Sequence, residues 1–184
     1  RAVTDLSELL NRGSSIDDFL ANLVESVGKH MKASVCSIYL YDVELDELVL
    51  RGTTGLNRTL VGQVRLKSGE GLTGYAFQQN TAVIEEDVTQ SQKNKAIPDL
   101  GEERYPAFVG VPIKRNALGI GVLTLQYYDV SAINRSVSRA LGAIASHLAT
   151  TLESAAALYE LHETNGTAVV GSGAVVDTGL IQGT

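Results

Sequence analysis

Two pairs of short runs rich in β-branched and aromatic residues, each pair joined by only a few positions, constrain this chain more than any other feature. Residues 35–41 and 48–53 flank an acidic turn at 42–47, and residues 107–113 and 119–127 flank a connection at 114–118. Connections of this length close hairpins, whereas a parallel pair needs a crossover of about a dozen residues or more. The sheet is therefore expected to be antiparallel. Pro112 lacks a backbone donor and is expected at a ladder edge or strand end. In the first run Cys36, Ile38 and Leu40 alternate with Val35, Ser37, Tyr39 and Tyr41, so both faces suit a covered sheet but only one offers hydroxyls. That face either floors a polar pocket or edges a core with its hydroxyls in water.

Helical spacing surrounds these hairpins. Val3, Leu6 and Leu10 repeat at helix period up to Gly13, and Ser15-Ile16-Asp17-Asp18 resembles a capping box. A second helix is expected to follow, with Ile16, Phe19, Leu20, Leu23, Val24, Val27 and Met31 on one face. Between the hairpins, 64–66 and 83–84 read as brief strands around a short helix carrying Leu72, Tyr75, Ala76 and Phe77. Gly69, Gly71 and Gly74 satisfy G-x-G-x-x-G, but a dinucleotide site requires a βαβ unit and the neighbours here are hairpins. These glycines are read instead as helix entry and close packing. The polar segment 85–104 is long for a connection inside a compact domain, which makes it either a lid over a site or a solvated surface loop.

With 184 residues, 44% of them apolar and 20% charged, the chain fits one soluble domain with appended helices. Its 15 basic and 21 acidic residues leave a net charge of -6, which disfavours nucleic acid and anionic membranes as partners. The single Cys36 can neither close an internal disulfide nor complete a metal site, which fits a reducing compartment and a buried structural thiol. No apolar run approaches the roughly 20 residues of a membrane span, and the start at Arg1 suggests an excised fragment. A cytoplasmic location is expected. His30, His147 and His162 show no metal-ligand spacing and are read as structural.

Toward the carboxyl end, Ile133, Val137, Leu141, Ile144, Leu148, Leu152, Ala155, Tyr159 and His162 form one stripe on a helix about 45 Å long. Part of that length is expected to pair with a second copy, aided by the small residues Ala140, Gly142, Ala145, Ser146, Ala149 and Ala156. The competing expectation is that the stripe packs wholly within the chain. Residues 1–163 form the domain on this reading, and the Gly-rich residues 164–184 form a flexible linker toward a following domain.

Three phrases, residues 36–42, 64–74 and 101–113, together with the order of elements, resemble GAF domains, and in particular the amino-terminal sensors of the nitrogen-related phosphotransferase-system enzymes I. The resemblance spans residues 3 to about 163. It implies an α+β sandwich in which a central antiparallel sheet carries the terminal helices on one face and pocket loops and short helices on the other. It also implies a regulatory, non-catalytic module of a phosphoenolpyruvate-protein phosphotransferase; the alternative is a ligand-free dimerisation module of another signalling kinase or transcription regulator. The parent would use Mg2+, and its phosphorylated histidine would lie in a later domain, so no catalytic residue, metal ligand or cofactor is expected here. Candidate effectors are glutamine and 2-oxoglutarate. Ser37, Tyr39, Tyr75, Glu85, Lys95, Arg104 and Tyr105 are the expected ligand-binding residues, with Lys95 or Arg104 pairing with a carboxylate and Tyr39 orienting it. Asn94-Lys95 and Phe108 echo part of the cyclic-nucleotide pattern, but residues 109–113 supply no acidic pair. Cys36 lies in a strand rather than beside a pocket helix as in bilin binders, and GAF-type methionine sulfoxide reductases need several cysteines.

Overall fold

The computed structural model describes residues 16–154. The helix expected from Val3 to Leu10, the stripe beyond Leu152 and the linker from 164 onward lie outside the described residues.

The chain enters through α1, Ile16–His30, whose first turn holds Asp17 and Asp18 and whose last holds Lys29 and His30, charges that complement the helix dipole. Strands β1, Val35–Asp42, and β2, Glu47–Thr54, form the first hairpin. They are followed by β3, Arg65–Lys67, α2, Gly71–Gln79, and β4, Val83–Glu85. The second hairpin is β5, Ala107–Arg115, with β6, Leu118–Tyr127, and helix α3 occupies 135–154. All pairings are antiparallel, in a six-stranded sheet of order β3-β2-β1-β6-β5-β4. The α+β architecture implied by the sequence is the one observed. Both edge strands span three residues, short enough to offer little unpaired backbone to another chain.

Alternation along the central strands divides the interior in two. Toward the terminal helices, Cys36, Ile38, Val109, Val111, Ile113, Leu123 and Leu125 pack with Phe19, Leu20, Leu23 and Val27 of α1 and with Leu141, Ala145, Leu148 and Leu152 of α3. Toward α2 and the long loop, Val35, Tyr39 and Val122 pack with Leu48, Leu50, Leu66, Ala76 and Leu100. Register breaks once in the first hairpin: Ile38 faces Gly52 and Tyr39 faces Leu50, leaving Arg51 as the extra residue of a bulge. The bulge keeps Leu48 and Leu50 in the second core yet turns Gly52 toward α1, where a Cβ would stand 3.1 Å from the Leu20 carbonyl oxygen. Arg51 reaches Asp17 of α1 at 3.1 Å.

Some expected boundaries shift. The second hairpin turns on Asn116 and Ala117 alone, both with positive φ of 49° and 70°, so its strands extend beyond Ile113 and Gly119. Without an Asn-Gly pair the sequence carries little sign of such a tight turn. Pro112 pairs with Val122 but lies past the last β4 pair, Val83 with Gly110, on a stretch of β5 with one neighbouring strand; this is the edge position its missing N–H requires. The α3 stripe is intramolecular as far as Leu152. Ala145 and Ala149, expected among the residues that let a partner helix approach, are buried in the core between α3 and the sheet.

Three substitutions test this account by chemical denaturation. Leu123→Ala, at a fully buried site, should cost roughly 2–5 kcal/mol, while Leu118→Ala, 69% exposed, should change stability by less than about 0.5 kcal/mol. Ala117→Gly should raise stability by roughly 0.5–1 kcal/mol, because the left-handed backbone there penalises a Cβ.

Candidate functional site

The sheet face opposite the terminal helices is hollow. A cavity of about 380 Å³ lies between β1, β5 and β6, the first turn of α2, and the loop that runs from β4 to β5. Its floor is set by strand alternation: Tyr39, Phe108 and Gln126 point into it, while their chain neighbours Ile38, Val109 and Leu125 point into the helical core. Phe108 can lie flat on β5 because Gly110 carries no side chain; a Cβ there would meet the ring at 2.9 Å.

One wall is the N-terminus of α2, where Gly71, Leu72 and Thr73 line the cavity. First-turn amides of a helix have no intrahelical acceptor and present positive partial charge. The glycines of the G-x-G-x-x-G run serve packing, as expected: a Cβ on Gly74 would stand 2.6 Å from the Lys67 carbonyl oxygen, so only glycine lets α2 sit on the end of β3. Glu70, just before α2, accepts a hydrogen bond from the Lys67 amide at 2.9 Å and an ion pair from Lys95 of the loop. The Lys95 bond, foremost, and the Lys67 amide hold the Glu70 carboxyl below the usual glutamate range.

The loop is pinned at several points. The Val88 amide donates to the Pro106 carbonyl at 2.7 Å, and Asp87 caps the turn Val88–Gln90 through the Thr89 amide and hydroxyl. Lys93 places its ammonium 4.8 Å from the centre of the Tyr75 ring on α2. Leu100 is fully buried, its carbonyl bonded by the Asn57 amide at 3.0 Å, and Gly101, at φ 95°, turns the chain into Glu102–Arg104. This anchor sets Glu102 in the cavity wall, where its carboxylate accepts from Gln126 Nε2 at 2.9 Å. Burial pushes the Glu102 carboxyl up, the Gln126 bond opposes that, and the charge of Glu103 adds to it. Tyr39 is 2% exposed, and its hydroxyl has no hydrogen-bond partner among the described residues. Burial, and then the charge of Glu102, raise its phenol far above the ordinary range.

Of the residues expected from sequence, Tyr39 and Lys95 line this cavity. The other five do not line it. Ser37 is on the same strand face as Tyr39, but its hydroxyl is engaged by Thr53 at 2.8 Å beneath the second core. Tyr75 stands under Lys93 on the outer side of α2. Glu85 ends edge strand β4 opposite Phe108. Arg104 and Tyr105 border a separate shallow depression with Asn57, Asp99 and Leu100. Glu102, Gln126 and the α2 amides were not singled out from sequence. Gln126 carried a signal, being polar on a strand whose alternate residues Leu123, Leu125 and Tyr127 are apolar. Cys36 is fully buried and burial pushes its thiol up, so it is a structural residue. Among the described residues no group of His, Cys, Asp or Glu is arranged to hold a metal, and no helix is long and apolar enough to cross a membrane.

A single six-stranded antiparallel sheet with a cavity beneath a loop on one face and terminal helices on the other is a GAF-type fold. The GAF domain family model matches residues 13–153, and the chain belongs to that family. It is 32% identical over 114 residues to the phosphoenolpyruvate-dependent phosphotransferase system protein of Escherichia coli and, equally, to that of Salmonella typhimurium; the match covers 60% of this chain and only 15% of theirs. The GAF domain of a phosphoenolpyruvate-protein phosphotransferase from Coxiella burnetii superposes with a TM-score of 0.75 at 28% identity, over 86% of this chain and 95% of that one. The corresponding Acinetobacter domain gives 0.72 at 27% identity, over 86% and 95%. A free methionine-R-sulfoxide reductase from Neisseria meningitidis shares the fold, with a TM-score of 0.71 at 20% identity over 85% and 89%.

The Glu102 environment has a pH signature. For an acid whose folded pKa is raised, the folded state binds more protons between the unfolded and folded values, so stability falls as pH rises through that window. Glu102→Gln removes this loss. The melting temperature of the variant relative to the parent should therefore increase as pH rises from the ordinary glutamate range through the raised pKa of Glu102; a difference that does not change with pH would contradict the assignment.

Proposed function

We propose that this chain is a regulatory, non-catalytic sensor domain of a phosphoenolpyruvate-protein phosphotransferase of the nitrogen-related phosphotransferase system, acting in the cytoplasm. The observation that carries the reading is the cavity beneath the loop, in which the first turn of α2 and Lys95, whose ammonium is ion-paired with Glu70, lie on one wall. That wall suits the carboxylate of a small metabolite, met by backbone amides at a helix N-terminus and by a lysine. Glutamine and 2-oxoglutarate, the nitrogen-status metabolites suggested by the family, both carry one. The likeness to GAF domains of phosphoenolpyruvate-protein phosphotransferases supports the assignment of the parent.

Regulation requires that the ligand favour one arrangement of the protein over another. The floor of the cavity and the seat of α1 and α3 are opposite faces of the same strands, so a ligand that shifts β6 or β1 shifts the support of both helices. Those helices would carry the signal to the phosphotransfer domains, and a homodimer through their free faces would give it a second route. Sedimentation of the chain tests the dimer.

Glutamine and 2-oxoglutarate, titrated separately, should raise the melting temperature through binding to the native state. Lys95→Met should weaken the ligand that binds by about tenfold, close to 1.4 kcal/mol, whereas Arg104→Ala, outside the cavity, should leave its affinity unchanged. If neither metabolite shifts the melting curve, the nitrogen-sensor reading fails.

A further inference from the structure

We infer that two copies of this chain meet through the helix-side strip at the β4 edge, each copy turned end for end against the other, so that α3 and Ile84 of one face the same strip of its partner. The inference rests on the homodimer proposed above and gives it a surface. The terminal helices cover only part of the sheet. Helix α1 packs on β1 and β2. Helix α3 reaches as far as β5, where Glu153 pairs with Arg115 at 2.8 Å. Beyond β5 stands edge strand β4. Its Ile84 pairs with Val109, which belongs to the helical core, so Ile84 points to the helix side as well. It is nevertheless 38% exposed, although it sits in the middle of its strand.

The flank of α3 beside this strip leaves room for a neighbour. Arg135, Gly142 and Glu153 recur at helical spacing, so Gly142 lies on the side that Glu153 turns toward β5. A Cβ at Gly142 would meet nothing within 4 Å among the described residues. Glycine inside a helix is unfavourable, and no packing among those residues asks for it here. Charge selects the occupant. Glu85, Glu86 and Asp87 lie where β4 ends, opposite the start of β5, while Lys114 and Arg115 close β5 at its far end. A second copy related by a two-fold axis across the strands sets each acidic end against a basic one, using the same surface twice. An axis along the strands would instead set acid on acid and base on base, which repel. Pro112 has no backbone donor to offer on the open stretch of β5, so the contact is made by side chains rather than by strand addition.

Sedimentation of the chain and its variants over a range of concentrations tests this. Ile84→Glu and Gly142→Leu should each weaken association by at least about tenfold. Ala143→Arg, on the outer face of α3 about 100° further round, should leave it unchanged. Glu86→Lys should weaken association too, and adding Lys114→Glu to the same chain should restore it, because both ends then change sign together. Melting curves verify that each variant is folded; where Ile84→Glu or Gly142→Leu is not, the exchange of sign between Glu86 and Lys114 decides. Full association of folded Ile84→Glu and Gly142→Leu, or dissociation by Ala143→Arg, would overturn this surface and leave the homodimer standing. Failure of Lys114→Glu to restore the Glu86→Lys chain would overturn the end-for-end arrangement. A parent chain that is monomeric at every concentration would overturn the surface and the homodimer together.

Discussion

The ladder between β1 and β6 is the contact on which the rest of the molecule depends. It joins the two hairpins through six residue pairs, from Val35 with Gln126 to Leu40 with Gly121. Each hairpin alone has a face it cannot cover; together they give a sheet wide enough to seat two helices on one side and a cavity on the other. Register here is not adjustable. A slip of one residue would exchange Leu123 and Leu125 for Thr124 and Gln126 against α1 and α3, burying polar groups among leucines and emptying the cavity floor of its polar atoms.

On the cavity side, precision comes from the loop's far anchor more than from its ion pairs. Lys95 with Glu70 and Lys93 over Tyr75 are partly exposed contacts of the kind that contribute little stability, and they tie the loop's middle to α2. Leu100, by contrast, is wholly buried in the second core, and Asn57 bonds both its carbonyl and that of Asp99. The loop therefore has one firm end, adjacent to Glu102, and a middle held mainly by charges at the surface.

How far the sequence could be read follows from these same forces. The hairpins, the α1 face and the GAF class were legible because alternation and helical period are written in neighbouring residues, as in Cys36, Ile38 and their polar-face partners Ser37 and Tyr39. The bulge at Arg51 and the turn at Asn116-Ala117 were not, since each depends on cross-strand geometry with no distinctive residue type. Within the site, Tyr39 could be found from its strand face and Lys95 from the charged loop. Arg104 was as good a choice as Glu102 by chemistry, and only the path of the chain around Leu100 and Gly101 decides which of them faces inward. The α3 stripe signalled an apolar face but not its partner; as far as Leu152 that partner is the chain's own sheet.

Strand β6 carries its cavity and helix contacts on successive residues. Gln126 borders the cavity, while Leu125 on one side and Tyr127 on the other belong to the helical core, and the Tyr127 hydroxyl donates to the Met31 carbonyl at 2.8 Å, just beyond the end of α1. A displacement of the Gln126 backbone cannot be absorbed by side-chain rotation, since the same peptide units position Leu125 and Tyr127. A tilt of the strand at its cavity face would be felt one peptide away at the helical core, with no longer relay of residues between them.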